Sequence, residues 1–183
     1  VAQLANALRG GEHDLPEVAR LALLGFADQL AALSTEIKSL DAQLLAWHRQ
    51  SALSQRLQTI PGVGVLTATA MAASIPNATV FRSGRQFAAF LGLVPKQNSS
   101  GGKERLGRIS KMGDPYLRTL LVNGATSVVR RITNAEGPTA IWIRRLLEKK
   151  PTRIATVAIA NKTARIVWAV MARGEEYRRP AMG

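Results

Sequence analysis

From Leu15 to Gln50 the apolar positions Leu23, Phe26, Leu30, Leu33, Ile37, Leu40, Leu44 and Trp47 alternate spacings of three and four. That is a heptad seam, and with no proline between Pro16 and Pro61 it predicts one long helix with Asp14 as its cap. A stripe this narrow needs a facing helix. The partner is either a second helix in a coiled coil, from another subunit or folded back from this chain, or the body of the same domain. His48 reads as a surface or seam residue of this helix, and His13 lies in a polar "GGEHD" turn without metal-ligand spacing.

Beyond residue 50 the pattern breaks into shorter helical runs. In "SQRLQTIPGVGVLTATAMAASI" Leu57 and Ile60 close one helix, Pro61 to Gly64 form a tight turn, and Val65 to Ser74 make an Ala-rich helix stopped before Pro76. An apolar residue between two glycines, with a small residue at Ala68, fits a helix-hairpin-helix. In such a motif Gly62, Val63 and Gly64 bring backbone N–H groups up to a DNA phosphate. A helical turn without DNA contact has the same sequence pattern. A short helix from Arg85 to Leu91, with Phe87, Phe90 and Leu91 in the core, ends at Gly92.

The stretch "KQNSSGGKERLGRISKMGD", residues 96–114, cannot continue a helix cheaply and predicts a loop or small β-hairpin from Gln97 to Ser110. Asp114 then caps a helix with Pro115 in its first turn, carrying Leu117, Leu120, Leu121, Ala125, Val128 and Val129. "NAEGP" ends it. A shorter helix holds Ile141, Trp142 and Leu146, and a last one runs from Thr152 to Ala172, with Ile154, Val157 and Val167 on its apolar positions and Trp168 and Met171 as packing groups. The class is mainly α: a coiled-coil region over 1–54, a helical domain over 55–178 and a tail over 179–183.

Charge sharpens this picture. The chain of 183 residues has a formal net charge of +13, yet residues 1–59 sum to −1 and residues 60–183 to +14. An excess confined to one part favours a polyanion, most often nucleic acid, because each neutralised phosphate releases counterions. The lack of cysteine removes disulfides and thiolate metal sites and fits a reducing cytoplasm. No charge-free apolar run reaches the roughly 18 residues of a membrane span. With nine aromatic residues in all, base stacking is a poor overall reading of the chain.

What the loop at 96–114 does is open at the level of single residues. A serine hydroxyl is a weak nucleophile without help, and neither histidine is near it in sequence, so acyl transfer by a Ser-His-Asp triad is excluded. The loop either grips phosphate or presents a serine to it. In the second case Lys96, Lys103, Arg105, Arg108, Lys111 and Arg118 would neutralise the charge that develops on phosphorus.

The ordered segments "TIPGVGVLTATAMAASI", "GLVPKQNSSGGKERLGRISKMGDPYLR" and "ARIVWAVMARGEEY" resemble the C-terminal transposase domain of the one-ten family of bacterial insertion-sequence transposases, which includes bridge-RNA-guided recombinases. The resemblance covers about residues 55–178. It implies a helical module following a coiled coil, and a serine nucleophile that joins transiently to a DNA phosphate. That role falls on Ser100, which directly precedes the glycine in "P.Q..SG"; Ser99 is the second choice. Gly101 and Gly102 would let the backbone turn toward the strand.

Relatives begin with a RuvC-like domain whose acids bind divalent metal. The expectation is therefore no cofactor in this chain, with magnesium only in that other domain, which these residues do not contain. The chain is expected to be a fragment, a split product or a remnant, inactive alone. DNA, a guide RNA and a second subunit through the coiled coil are the expected partners, with no membrane and a cytoplasmic, nucleoid-associated location. The alternative is a non-catalytic helix-hairpin-helix module that binds nucleic acid, or an inactive transposase remnant.

Overall fold

The computed structural model describes residues 6–7, 15–97 and 106–178. The chain is mainly helical: α1 (Glu17–Gln50), α2 (Ala52–Gln58), α3 (Val65–Ser74), α4 (Gly84–Phe90), strands β1 (Pro95–Gln97) and β2 (Leu106–Ile109), then α5 (Pro115–Arg131), α6 (Pro138–Lys149) and α7 (Thr152–Arg173). Two 3₁₀ turns, Ala78–Val80 and Ile132–Asn134, were not legible in the sequence. The chain divides into two compact units at Ala46/Trp47, within α1.

In the first unit α1 leaves its seam open: Phe26 is 62%, Leu33 54% and Ile37 57% exposed. The predicted cap, Asp14, and His13 lie outside the described residues. The last turn of α1 belongs to the second unit, and there the sequence reading of His48 needs correcting. His48 is buried, with Nδ1 2.7 Å from Ser54 Oγ and Nε2 2.7 Å from Gln58 Oε1. Ser51 caps α2 by accepting from the Ser54 N–H, so a helix break sits where the imidazole can bond forward. Nothing in a one-dimensional heptad pattern carries that information.

The second unit is built around α7. Its small residues Ala155, Ala160, Thr163 and Ala164 are buried with Ile159, Val167 and Val170, at spacings that place them on one broad face. Small side chains let α5 and α4 approach closely, and α2 and α6 also pack on this helix. Between them lie Leu57, Met71, Phe87, Leu117, Leu121 and Ile143, each almost fully removed from water. Burial of such side chains is worth about 1.5–3 kcal/mol apiece relative to exposure. Trp168, expected as a packing group, is pinned as well: its Nε1–H donates to the carbonyls of Ala78 (3.1 Å) and Phe81 (3.2 Å).

Two apolar assignments differ from the sequence reading. Phe90 is 45% exposed and stands at the edge of an aromatic group with Phe81 and Phe87, while Ile154, one residue before the buried face of α7 begins, is 57% exposed. Both fall near helix ends, where the i, i+4 rule no longer has a neighbouring turn to pack on. The helices α1 and α7 are long and apolar enough on average to cross a membrane. In α7 the apolar side chains form the domain core instead.

Candidate functional site

Two features carry the residues singled out by the sequence: the turn between α2 and α3, and the short hairpin β1–β2. In the turn, Gly62 has φ +84°, and a Cβ there would come 3.0 Å from the Gly124 carbonyl oxygen. On the opposite side, a Cβ on Gly124 of α5 would lie 1.9 Å from the Gly62 carbonyl oxygen. The two glycines therefore pack backbone to backbone, and Gly62 faces the domain rather than a partner. Val63 is buried at 4% exposure and its N–H donates to the Ile60 carbonyl at 3.0 Å, so both its side chain and its N–H are committed to the domain. Gly64 is different. It precedes α3 with extended backbone, φ −90° and ψ 178°, and has open space where a Cβ would be.

The hairpin is antiparallel, with Pro95 opposite Ile109 and Gln97 opposite Leu106 across an irregular register. The residues between, 98–105, include Ser99, Ser100, Gly101, Gly102, Lys103 and Arg105, all outside the described residues. The base of the hairpin is held by four independent contacts. Ser110 N–H donates to Val94 (2.8 Å) and Lys111 N–H to Gly92 (3.1 Å). Asn161 Nδ2 donates to the Leu93 carbonyl at 3.0 Å and Arg118 to the Leu91 carbonyl at 3.1 Å. Gly92 (φ +70°) and Gly113 (φ +99°) let the two chain segments cross: a Cβ on Gly113 would sit 1.8 Å from the Phe90 oxygen. Asp114 then caps α5, accepting from the Tyr116 and Leu117 N–H groups.

These contacts sort the predicted cations. Lys96, Arg108 and Lys111 are exposed on or beside the strands, so the structure brings three of them to one hairpin. Arg118 is half-buried and donates to the Leu91 carbonyl at the end of α4, so one guanidinium nitrogen is engaged at the hairpin base. Lys111 has φ +54°, a conformation that a side chain with a Cβ adopts at a cost of about 1–2 kcal/mol. Sequence reasoning missed Asn161, Gly113 and Gly124 because each acts across the fold on a residue distant in the chain. For Gly113 a signal existed, a glycine directly before an aspartate cap.

Among the described residues no three of His, Cys, Asp and Glu come together in a way that could hold a metal ion, so the described side chains offer no metal-ligand set of their own. Chemically, this arrangement provides a cationic two-stranded platform with a clamped base, and the sequence between its strands contains adjacent serines and glycines.

Fold and site thus define a helical domain that displays a short basic hairpin from a glycine-packed base. Residues 54–139 match the sequence model of the family described as "Transposase IS116/IS110/IS902 family". The chain is 49% identical over 151 residues to the "Probable family 20 transposase" of Pseudomonas aeruginosa, covering 82% of this chain and 45% of that protein. It is 48% identical over 124 residues to the "Transposase for insertion sequence element IS1111A" of Coxiella burnetii, covering 68% and 34%. To the "Transposase for insertion sequence element IS1328" of Yersinia enterocolitica it is 35% identical over 168 residues, covering 92% and 50%. The chain carries a transposase domain of the IS116/IS110/IS902 family. It spans about half the length or less of these relatives.

Proposed function

We propose that this chain is the DNA-binding C-terminal part of an insertion-sequence transposase, and that Ser100 is the nucleophile that attacks a DNA phosphate. The observation that carries this reading is the clamped hairpin: its strands pair Gln97 with Leu106, the residues on either side of "NSSGGKER" in the sequence, and Lys96, Arg108 and Lys111 are exposed on or beside those strands. Loop cations would neutralise the non-bridging phosphate oxygens, with Lys103 and Arg105 adding to the described three. In the step proposed, the Ser100 hydroxyl loses its proton and its oxygen bonds to phosphorus. The bond from phosphorus to one deoxyribose oxygen breaks, and that oxygen takes up a proton. The phosphoserine diester is later resolved by a deoxyribose hydroxyl of the recombining strand, which restores the serine.

The first turn of α3 is the second contact. Its N–H groups follow Gly64, which leaves room for a phosphate at the helix start, so the turn would hold backbone and carry no sequence information. Metal chemistry belongs in this scheme to the RuvC-like domain of the relatives, with magnesium as the ion, and a guide RNA is a further partner consistent with family resemblance. The open seam of α1, including Phe26, Leu33 and Ile37, is assigned to a second copy of the chain.

The test supplies the RuvC-like domain of a close relative, fused or in trans, and follows recombination between a donor and a target DNA. Ser100→Ala is expected to abolish strand transfer and any protein–DNA phosphoserine adduct while duplex affinity changes less than about threefold, since a hydroxyl contributes little to counterion release. Wild-type recombination by Ser100→Ala would remove the nucleophile assignment. Trapping the adduct at Ser99 would move it by one residue. A wild-type protein that binds DNA with strong salt dependence yet never forms an adduct would favour the non-catalytic module instead.

A further inference from the structure

A second charged feature follows α7; of the residues that line it, Asn161 also reaches the hairpin base, and none of its cations belongs to the turn or the hairpin. An open cavity of about 890 Å³ follows the surface of α7, bounded by the first turn of α4, by α6 and by residues 175–178. Its sides carry Arg85, Lys162, Arg165, Arg173 and Arg178 against two carboxylates, Glu175 and Glu176. Among the described residues none of these five cations is paired with a carboxylate. The rim arginines are exposed, so their charge is available to a ligand at little desolvation cost.

The groove also contains two aromatic rings, Trp142 of α6 and Tyr177 just beyond α7, both half-buried. The Lys162 ammonium rests 4.1 Å from the centroid of the Trp142 indole, so this ring already offers its face to a cation at the groove wall. The indole of Trp168, by contrast, is committed to the Ala78 and Phe81 carbonyls.

We propose that this groove binds an unpaired nucleic-acid strand, with phosphates along the arginine rim and a base stacked on Trp142. A ligand with one phosphate would engage one or two cations; five spread along an open channel suit a polymer with regularly repeated charge. The ring faces decide between paired and unpaired. In a duplex the base faces are covered by their neighbours, and only an unpaired base can lie on an indole. A phosphate beside Lys162 draws the ammonium off the ring and leaves the face to the base. Unpaired DNA and RNA share this chemistry, and the site holds either. The proposal does not depend on Ser100 or on the hairpin.

The full chain is titrated, by fluorescence anisotropy, into labelled oligonucleotides of about twelve residues, within the span that single-strand sites cover: unpaired DNA, unpaired RNA of the same sequence, and a DNA duplex. Arg165→Glu combined with Arg173→Glu changes two exposed positions without touching the core. It is expected to weaken at least one unpaired strand tenfold or more and to make the log–log salt dependence shallower by about 1.4, two lost contacts at roughly 0.7 each. Duplex binding should fall less than threefold. Trp142→Leu, checked for folding by circular dichroism, should weaken the same strand, whereas Lys96→Ala with Arg108→Ala should spare it and weaken duplex. The DNA and RNA arms identify which strand is preferred. Unchanged affinity for both unpaired strands in the arginine double variant would overturn the proposal. So would an equal loss on duplex, since that is the behaviour of a general electrostatic field.

Discussion

At the scale of single residues, the glycines of this domain perform two different tasks that share one letter in the sequence. Gly124 exists so that α5 can lie on the backbone of the α2–α3 turn; a methyl group there would overlap the Gly62 oxygen at 1.9 Å. Gly64, two positions beyond Gly62, has nothing within 4 Å of a notional Cβ and a φ of −90° that any residue adopts. Gly124→Ala is therefore expected to destabilise by at least about 1–3 kcal/mol, the usual range for overpacking. Gly64→Ala should cost less, about 0.5–1 kcal/mol, the loss of a favoured N-cap residue without any overlap. Denaturant midpoints measure both. A Gly124→Ala protein as stable as the parent would mean that the turn and α5 are not in contact.

For the elements, local signals were sufficient wherever a cap or a breaker carried the information. Val65–Ser74 was legible from its Ala-rich run before Pro76, and α5 from Asp114 and Pro115. The cap is a real bond pair in the structure, 2.7 and 3.1 Å to two N–H groups, so Asp114→Ala should lower stability by about 1 kcal/mol. Because the same residue ends the segment that returns from the hairpin, hydrogen exchange at Lys111, whose N–H bonds to Gly92, should quicken more than exchange in the middle of α7. Uniform acceleration would show that the cap stabilises the whole domain and not the hairpin base. The hairpin itself was legible as loop or hairpin, but its first strand begins at Pro95, because the pairing partner, Ile109, and not local propensity, decides where a ladder starts.

At the scale of the whole molecule the apolar residues divide between a closed core and an open seam. α7 hides its apolar face under α2, α4, α5 and α6, while α1 keeps Phe26, Leu30, Leu33, Ile37 and Leu40 about half exposed or more. With a second copy on that seam, Leu33→Asp combined with Ile37→Asp should convert a dimer to a monomer in sedimentation velocity, and the melting of the domain from Trp47 onward should stay within a few degrees. An unaltered sedimentation coefficient would take the seam out of self-association. The groove along α7 was not visible at any shorter scale, since its residues come from α4, α6, α7 and the segment after it.

By itself the sequence determined the helices, most of their ends, the segregation of positive charge and the family motif around "NSSGG", because caps, periodicity and composition act between near neighbours in the chain. Only the tertiary structure decided that Gly62 faces Gly124, that His48 is buried between Ser54 and Gln58, that Arg118 holds a helix end and that Trp142 shares a groove with five cations. Most of those outcomes depend on which helix packs against which, and packing selects among faces that the linear pattern leaves equivalent.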